Sequence, residues 1–205
     1  MQEYVEHTVP DRMFLQQWLK EIPSHALEEH ITDHEIQHLN ISTPKVPDAT
    51  VTESAHTSID KDGNKYIGKM KNGCYHGNGV LYNANGDSHV GEWKNGRKNG
   101  NGKSEYTGGI SINGFWENGI LLKGKLVDKY EILTYLGSFK DNLKNGFGTE
   151  ESNGDNGNYF YIGDFKDNVR QGPGKMYYRD SGAYSIGNFY KGKISGFGYL
   201  EFSDL

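Results

Sequence analysis

The chain has 205 residues, 22 Lys+Arg against 27 Asp+Glu, 28 glycines, 14 tyrosines and 34% hydrophobic residues. A globular domain of this length usually carries ~45–50% apolar residues and ~7% glycine, so one deep core is excluded and an extended sheet held by aromatics is indicated. A single cysteine, Cys74, excludes an intramolecular disulfide framework, the net charge of −5 argues against nucleic-acid binding, and no stretch offers the ~18 apolar residues that span a bilayer.

In chain order, the start Met1-Gln2-Glu3-Tyr4 is acidic and lacks an apolar signal core, so a soluble cytoplasmic protein is expected. Residues 1–60 carry eleven acids against Arg12, Lys20 and Lys45, whereas the remainder has a small basic surplus. Residues 1–40 read as a helical docking segment. Pro10-Asp11 is a start signal, and Phe14, Leu15, Trp18, Leu19 and Ile22 recur at i, i+3, i+4 spacing. Phe14, Leu15, Trp18 and Leu19 are expected to pack on protein. Pro23-Ser24 interrupts this helix and restarts it. Residues 41–62, rich in Ser, Thr and Pro, read as a polar linker.

From residue 63 to 205 the chain is periodic. A lead glycine recurs at Gly68, Gly91, Gly114, Gly137, Gly163 and Gly187, in steps of 23, 23, 23, 26 and 24 residues. Two positions later stands Met70, Trp93, Trp116, Phe139, Phe165 or Phe189. Nine and eleven positions after the lead come glycine pairs, Gly77/Gly79, Gly100/Gly102, Gly146/Gly148, Gly172/Gly174 and Gly196/Gly198. The third unit has Lys123 and Lys125 there instead. A fixed period of this length marks a stacked array whose single units cannot bury their own apolar face. Alternation along Tyr66-Ile67-Gly68-Lys69-Met70, followed by Asn72-Gly73, reads as a β-hairpin with a tight turn. Six such hairpins give twelve strands. A glycine without Cβ lets a neighbouring ring lie flat across the backbone.

These units resemble the MORN repeat (membrane occupation and recognition nexus), clearest in Tyr66-Ile67-Gly68…Gly73…Gly77-Asn78-Gly79 and Tyr161-Ile162-Gly163-Asp164-Phe165…Gly172-Pro173-Gly174. His89, Ile112 and Ser185 depart from the lead tyrosine, and Asn142 and Asn168 from the turn glycine. The resemblance implies a mainly β, extended single-layer antiparallel sheet with a grooved face and no catalysis of its own. It also implies partner polypeptides within a cytoskeletal assembly, with ciliary axonemes and their radial spoke heads as the specific expectation. The partner-binding groove is expected to be lined by Tyr66, Trp93, Trp116, Tyr135, Phe139, Tyr161, Phe165 and Phe189. The alternative is a tether binding anionic lipid. Relatives that are enzymes carry separate catalytic domains, and about sixty residues of head and linker are too few for one.

Other chemistry is weakly supported. His30, His34 and His38 share a helical stripe, but metal sites need convergent ligands from more than one element, so no metal is expected. Asp155, Asn156 and Asn158 lack the closing Glu of a calcium loop. No helix follows the Gly-x-Gly pairs, which removes the phosphate-loop reading, and no cofactor or small-molecule substrate is expected. Cys74, beside Tyr75 and His76, reads as an uninvolved thiol. Lys71, Lys94, Lys140 and Lys166 share one slot, read as a charged edge that discourages aggregation, with anionic-lipid contact as the rival reading.

Overall fold

The computed structural model describes residues 56–130, 132–154 and 157–201, with side chains up to residue 195. All of these belong to the unit Ile41–Leu205. The expected docking helix with Phe14, Leu15, Trp18 and Leu19, and the histidines His30, His34 and His38, lie outside the described residues.

The described residues form a single open antiparallel sheet of thirteen strands, each hydrogen-bonded to its neighbours in sequence. The strands are β1 (His56–Ile59), β2 (Lys65–Lys71), β3 (Cys74–Tyr82), β4 (Ser88–Lys94), β5 (Arg97–Glu105), β6 (Ser111–Glu117), β7 (Ile120–Val127), β8 (Leu133–Lys140), β9 (Leu143–Gly154), β10 (Gly157–Lys166), β11 (Val169–Tyr178), β12 (Tyr184–Tyr190) and β13 (Lys193–Glu201). The expected six hairpins are β2–β3 through β12–β13. The thirteenth strand corrects the expected count. β1 lies inside the segment read as linker and pairs with β2 through Thr57↔Ile67 and Ser58↔Tyr66. Its residues are mostly exposed, so the backbone ladder holds it without an apolar face.

Each hairpin turn has positive φ at both central residues, the geometry that matches the right-handed twist of paired strands. Asn72-Gly73 sits at 52° and 74°, and Asp141-Asn142 at 52° and 62°. Asparagine therefore does at Asn142 what glycine does at Gly73, because its short polar side chain tolerates this region.

The two glycines of each pair have different physical reasons. The first occupies a bulge with positive φ: Gly77 at 64°, Gly100 at 96°, Gly146 at 83° and Gly172 at 91°. The second faces the lead glycine directly, as in Gly68↔Gly79, Gly91↔Gly102 and Gly137↔Gly148. The third hairpin keeps the second reason and loses the first. Gly124 pairs with Gly114, and the register shifts between Phe115 and Trp116 through a smaller bulge. The missing Gly-x-Gly is therefore a change of bulge, and the ladder runs through unbroken. The lengthened fourth unit likewise extends the ladder rather than forming a loose loop: Asn153↔Asn158 and Gly154↔Gly157 pair between β9 and β10.

Candidate functional site

The lead residue and the large residue four positions later share one face. On it lie Tyr66, Trp93, Trp116, Tyr135, Phe139, Tyr161, Phe165 and Phe189, all between 0% and 6% exposed. Edge-to-face contacts join them in two groups: Tyr66, Trp93 and Trp116, the last reached through His89, and Tyr135, Phe139, Phe165, Tyr161 and Phe189. Tyr66 meets Trp93 at 5.7 Å, Tyr135 meets Phe139 at 5.2 Å and Phe165 at 5.0 Å, and Tyr161 meets Phe165 at 5.2 Å and Phe189 at 4.9 Å. Such pairs contribute ~0.5–1.5 kcal/mol beyond burial.

Where a ring covers a facing glycine pair, it rises two residues upstream of the lead glycine and lies over both: over the lead glycine from that glycine's own strand, and over the opposite glycine from the neighbouring strand, as expected. A Cβ on Gly68 would lie 2.5 Å from Tyr66 Oη, and one on Gly148 would lie 2.7 Å from Tyr135 Cε2. Lying flat, the phenol reaches the backbone beside the bulge and donates there: Tyr66 to Lys69 O at 3.0 Å, Tyr135 to Ser138 O at 2.7 Å and Tyr161 to Asp164 O at 3.1 Å. Burial pushes the Tyr66 phenol up to about 12 and raises Tyr135 and Tyr161 as well. The eight rings are thus the interior of the array. Their burial leaves little ring surface for the open groove lining that the sequence suggested.

The five repeats matched by the family model of the MORN repeat fall on this architecture at residues 66–88, 89–111, 135–155, 161–183 and 186–204, more than half of the chain. The chain belongs to the MORN-repeat family. No curated protein matches it. The matched segments leave out 112–134, which holds most of the third hairpin, so the structure continues the MORN array where the sequence pattern lapses.

Polar groups that the sequence reading missed lie on the ring-bearing face of the MORN array. Seven positions after the lead glycine, opposite the second ring, stand Tyr75, Lys98, Leu121, Lys144 and Arg170. Lys144 and Glu150, both buried, form an ion pair, Tyr159 donates to Glu150 Oε1 at 3.0 Å, and Arg170 Nη1 lies 3.9 Å from the same oxygen. The Lys144 ammonium also stands 5.1 Å from the Tyr135 ring centre, and the Arg170 guanidinium 4.8 Å from that of Tyr159. Burial, reinforced by the Glu150 charge, pushes Tyr159 up to about 12.

The second MORN hairpin is built differently. His89 replaces the lead tyrosine and shares a hydrogen bond of 2.8 Å between Nδ1 and Ser104 Oγ, while Lys98 Nζ donates to the same hydroxyl at 2.9 Å. His89 Nε2 is buried without a hydrogen-bond partner. Burial, with a smaller contribution from the Lys98 charge, pulls His89 down to about 3, so the ring is neutral. Burial also lowers Lys98. A tally of the slot seven residues after each lead glycine would have flagged Lys98, Lys144 and Arg170.

Among the described residues no cluster of His, Cys, Asp or Glu could hold a metal ion, and no helix is long and apolar enough to cross a membrane. Cys74 is exposed at the start of β3, just after the turn. Lys71, Lys94, Lys140 and Lys166 are all exposed, each as the last residue before a hairpin turn. Large apolar side chains exposed elsewhere include Tyr82, Phe115, Ile120, Phe147 and Tyr190.

Proposed function

We propose that this MORN-repeat chain is a non-catalytic scaffold that binds partner polypeptides within a larger cytoskeletal assembly. The ciliary axoneme, specifically a radial spoke head, is its proposed setting, by family resemblance. One observation carries the binding part of this reading. The aromatic column is consumed in holding the sheet, yet fourteen other large apolar side chains remain exposed among the described residues. Where such side chains adjoin one another, they supply the contiguous apolar area that marks interaction surfaces. The ring column is then the rigid floor that fixes the sheet, and the partner meets the side chains that the floor positions.

Affinity purification of the full chain from its native source, followed by mass spectrometry, tests the reading. A reproducible set of axonemal or other cytoskeletal proteins is expected. Recovery of none across salt conditions would overturn it. The rival reading, a tether on anionic lipid, rests on the exposed lysines beside the turns. Co-flotation with anionic vesicles at physiological salt, lost on reversing Lys71 and Lys94, would favour it.

A further inference from the structure

The face opposite the rings differs most from a repeating pattern in the middle of the array. Cross-strand pairing brings Lys103, Asn113 and Lys125 side by side on β5, β6 and β7. It brings Asn101, Phe115, Lys123 and Ser138 side by side on β5 to β8. On β9, Phe147 follows in the same row, two residues along from Thr149, which pairs with Leu136. Among the described residues no carboxylate stands within these two rows on β5–β9, while Glu92 of β4 accepts from the Asn101 N–H at 3.0 Å at one end and Asp164 of β10 pairs with Phe147 at the other. Lys103 is held by Glu105 of its own strand at 2.5 Å, and Glu117 is the last residue of β6 before its turn. Phe115 is 37% exposed and Phe147 is 39% exposed. Asn113 Oδ1 is buried without a hydrogen-bond partner, between Lys103 and Lys125.

The third hairpin gave up the Gly-x-Gly bulge and carries Lys123-Gly124-Lys125 in its place. The ladder did not need those lysines, since Gly124 alone supplies the close approach to Gly114. We propose that this face of β5–β9 docks an acidic amphipathic helix of a partner protein. The inference rests on the scaffold reading above and adds the surface and the chemistry of the partner.

A helix fits better than an added strand, because β5–β9 are paired on both sides and offer no free edge. Phe115 and Phe147 stand three strand steps apart, ~14 Å at ~4.8 Å per step. A helix crossing the strands spans that distance in ~10 residues at 1.5 Å rise. Its residues i and i+11 then cover the two phenylalanines, and acids between them meet Lys123 and Lys125. Matched charges of this kind steer encounter and select the partner.

The test uses the full chain and a fluorescein-labelled 18-residue helical peptide with Leu at i, i+4, i+7 and i+11 and Glu at the flanking positions. The control peptide carries Lys for every Glu. Binding by anisotropy is expected for the Glu peptide only, weakened at least tenfold by Lys123→Glu with Lys125→Glu and severalfold by Phe115→Ser with Phe147→Ser. Lys71→Glu with Lys94→Glu should change it less than twofold. Circular dichroism checks folding, and Lys123→Gln with Lys125→Gln replaces the reversal should it unfold. Equal binding of the Lys peptide, equal loss in the Lys71/Lys94 variant, or binding of phosphatidylserine vesicles without the Glu peptide would overturn the proposal. Should native partners be retained undiminished by the Lys123/Lys125 variant, this surface is wrong and the scaffold reading stands. Loss of both peptide and native partners in the unmodified chain sinks both.

Discussion

In β4–β5 the lysine that faces the aromatic column, Lys98, meets a hydroxyl; in β8–β9 its counterpart, Lys144, meets a carboxylate. The backbone slots are the same. Trp93 pairs with Lys98 as Phe139 pairs with Lys144, and His89 pairs with Ser104 as Tyr135 pairs with Glu150. One residue, Ser104 against Glu150, decides whether the slot holds a neutral relay or an ion pair. The choice spreads to the neighbouring hairpin in one case only, because Tyr159 and Arg170 both reach Glu150. A repeat thus fixes where side chains go and leaves their chemistry open. What differs between the two hairpins is how much each would lose if its partner were removed.

The largest expected effect breaks the ionic hairpin. Glu150→Ala leaves Lys144 buried without its anion and Tyr159 without an acceptor, and should cost about 3–5 kcal/mol in the denaturant midpoint. Ser104→Ala removes only a hydroxyl shared by Lys98 and His89, at about 1 kcal/mol. Replacing Lys144 with Met and Glu150 with Leu together should recover most of that loss, since both desolvation costs vanish with the pair, and leave about 1 kcal/mol for the acceptor that Tyr159 loses. Equal losses for Glu150→Ala and Ser104→Ala would mean the ion pair carries no more than the neutral relay.

Next come the glycines under the rings. Gly148→Ala and Gly102→Ala place a Cβ 2.7 Å from Tyr135 Cε2 and 2.6 Å from His89 Cε1. Displacing a packed ring that also carries a hydrogen bond, to Ser138 O in one case and with Ser104 Oγ in the other, should cost about 1–3 kcal/mol at each site by thermal unfolding. A gain in stability at either site would contradict the flat-ring geometry.

Much of this was legible in the sequence. The period, the face shared by Tyr66, Gly68 and Met70, and the tight turns all follow from backbone demands that only a few residue types meet. β1 was not legible, because an exposed edge strand needs no apolar alternation and His56-Thr57-Ser58-Ile59 reads like linker. The ion pair was hidden too. Lys144 and Glu150 lie on one strand six residues apart across a bulge, and Arg170 arrives from the next hairpin. The groove expectation read these large aromatics as contact surface, and the structure buries them. The glycine pairs, by letting rings lie flat, turn them into interior.

The third prediction converts one side of the comparison toward the other. His89→Tyr should place a hydroxyl near Glu92 O, the carbonyl equivalent to those that Tyr66 and Tyr135 reach, and remove an imidazole whose Nε2 is unpartnered. A gain of about 1 kcal/mol is expected at pH 8. The pH dependence is the sharper readout. The folded-state value near 3 lies below the ordinary 6.5, so above pH 6.5 both states hold a neutral ring and stability is pH-independent on this account. As pH falls below 6.5 the unfolded chain gains a proton that the folded one refuses. Between pH 6.5 and 5.5 this group should cost about 1 kcal/mol, continuing downward toward pH 3. The midpoint difference between His89→Tyr and the unmodified chain should widen over that interval; a constant difference would show that His89 titrates normally in the fold.

The smallest effect carries the slot argument into the turns. Asn72, Asn95 and Asn118 hold the first central position of their turns at φ of 51° to 52°, and Lys191 holds the same position at 51°. The backbone makes the same demand at each, but lysine lacks the local hydrogen bonding that lets asparagine tolerate this region. Lys191 has one compensation, its ammonium 5.3 Å from the Tyr190 ring, which at an exposed site contributes only ~0.5–1 kcal/mol. The left-handed conformation costs roughly 1–2 kcal/mol for an ordinary residue, so relief outweighs the lost contact. Lys191→Asn should therefore stabilise by about 0.5–1 kcal/mol in the denaturant midpoint, with its slope unchanged. Asn72→Lys in the first hairpin should lose a comparable amount. If Lys191→Asn destabilises while Asn72→Lys also does, the ring contact rather than the turn governs residue 191, and equivalence of the slots ends at the last hairpin.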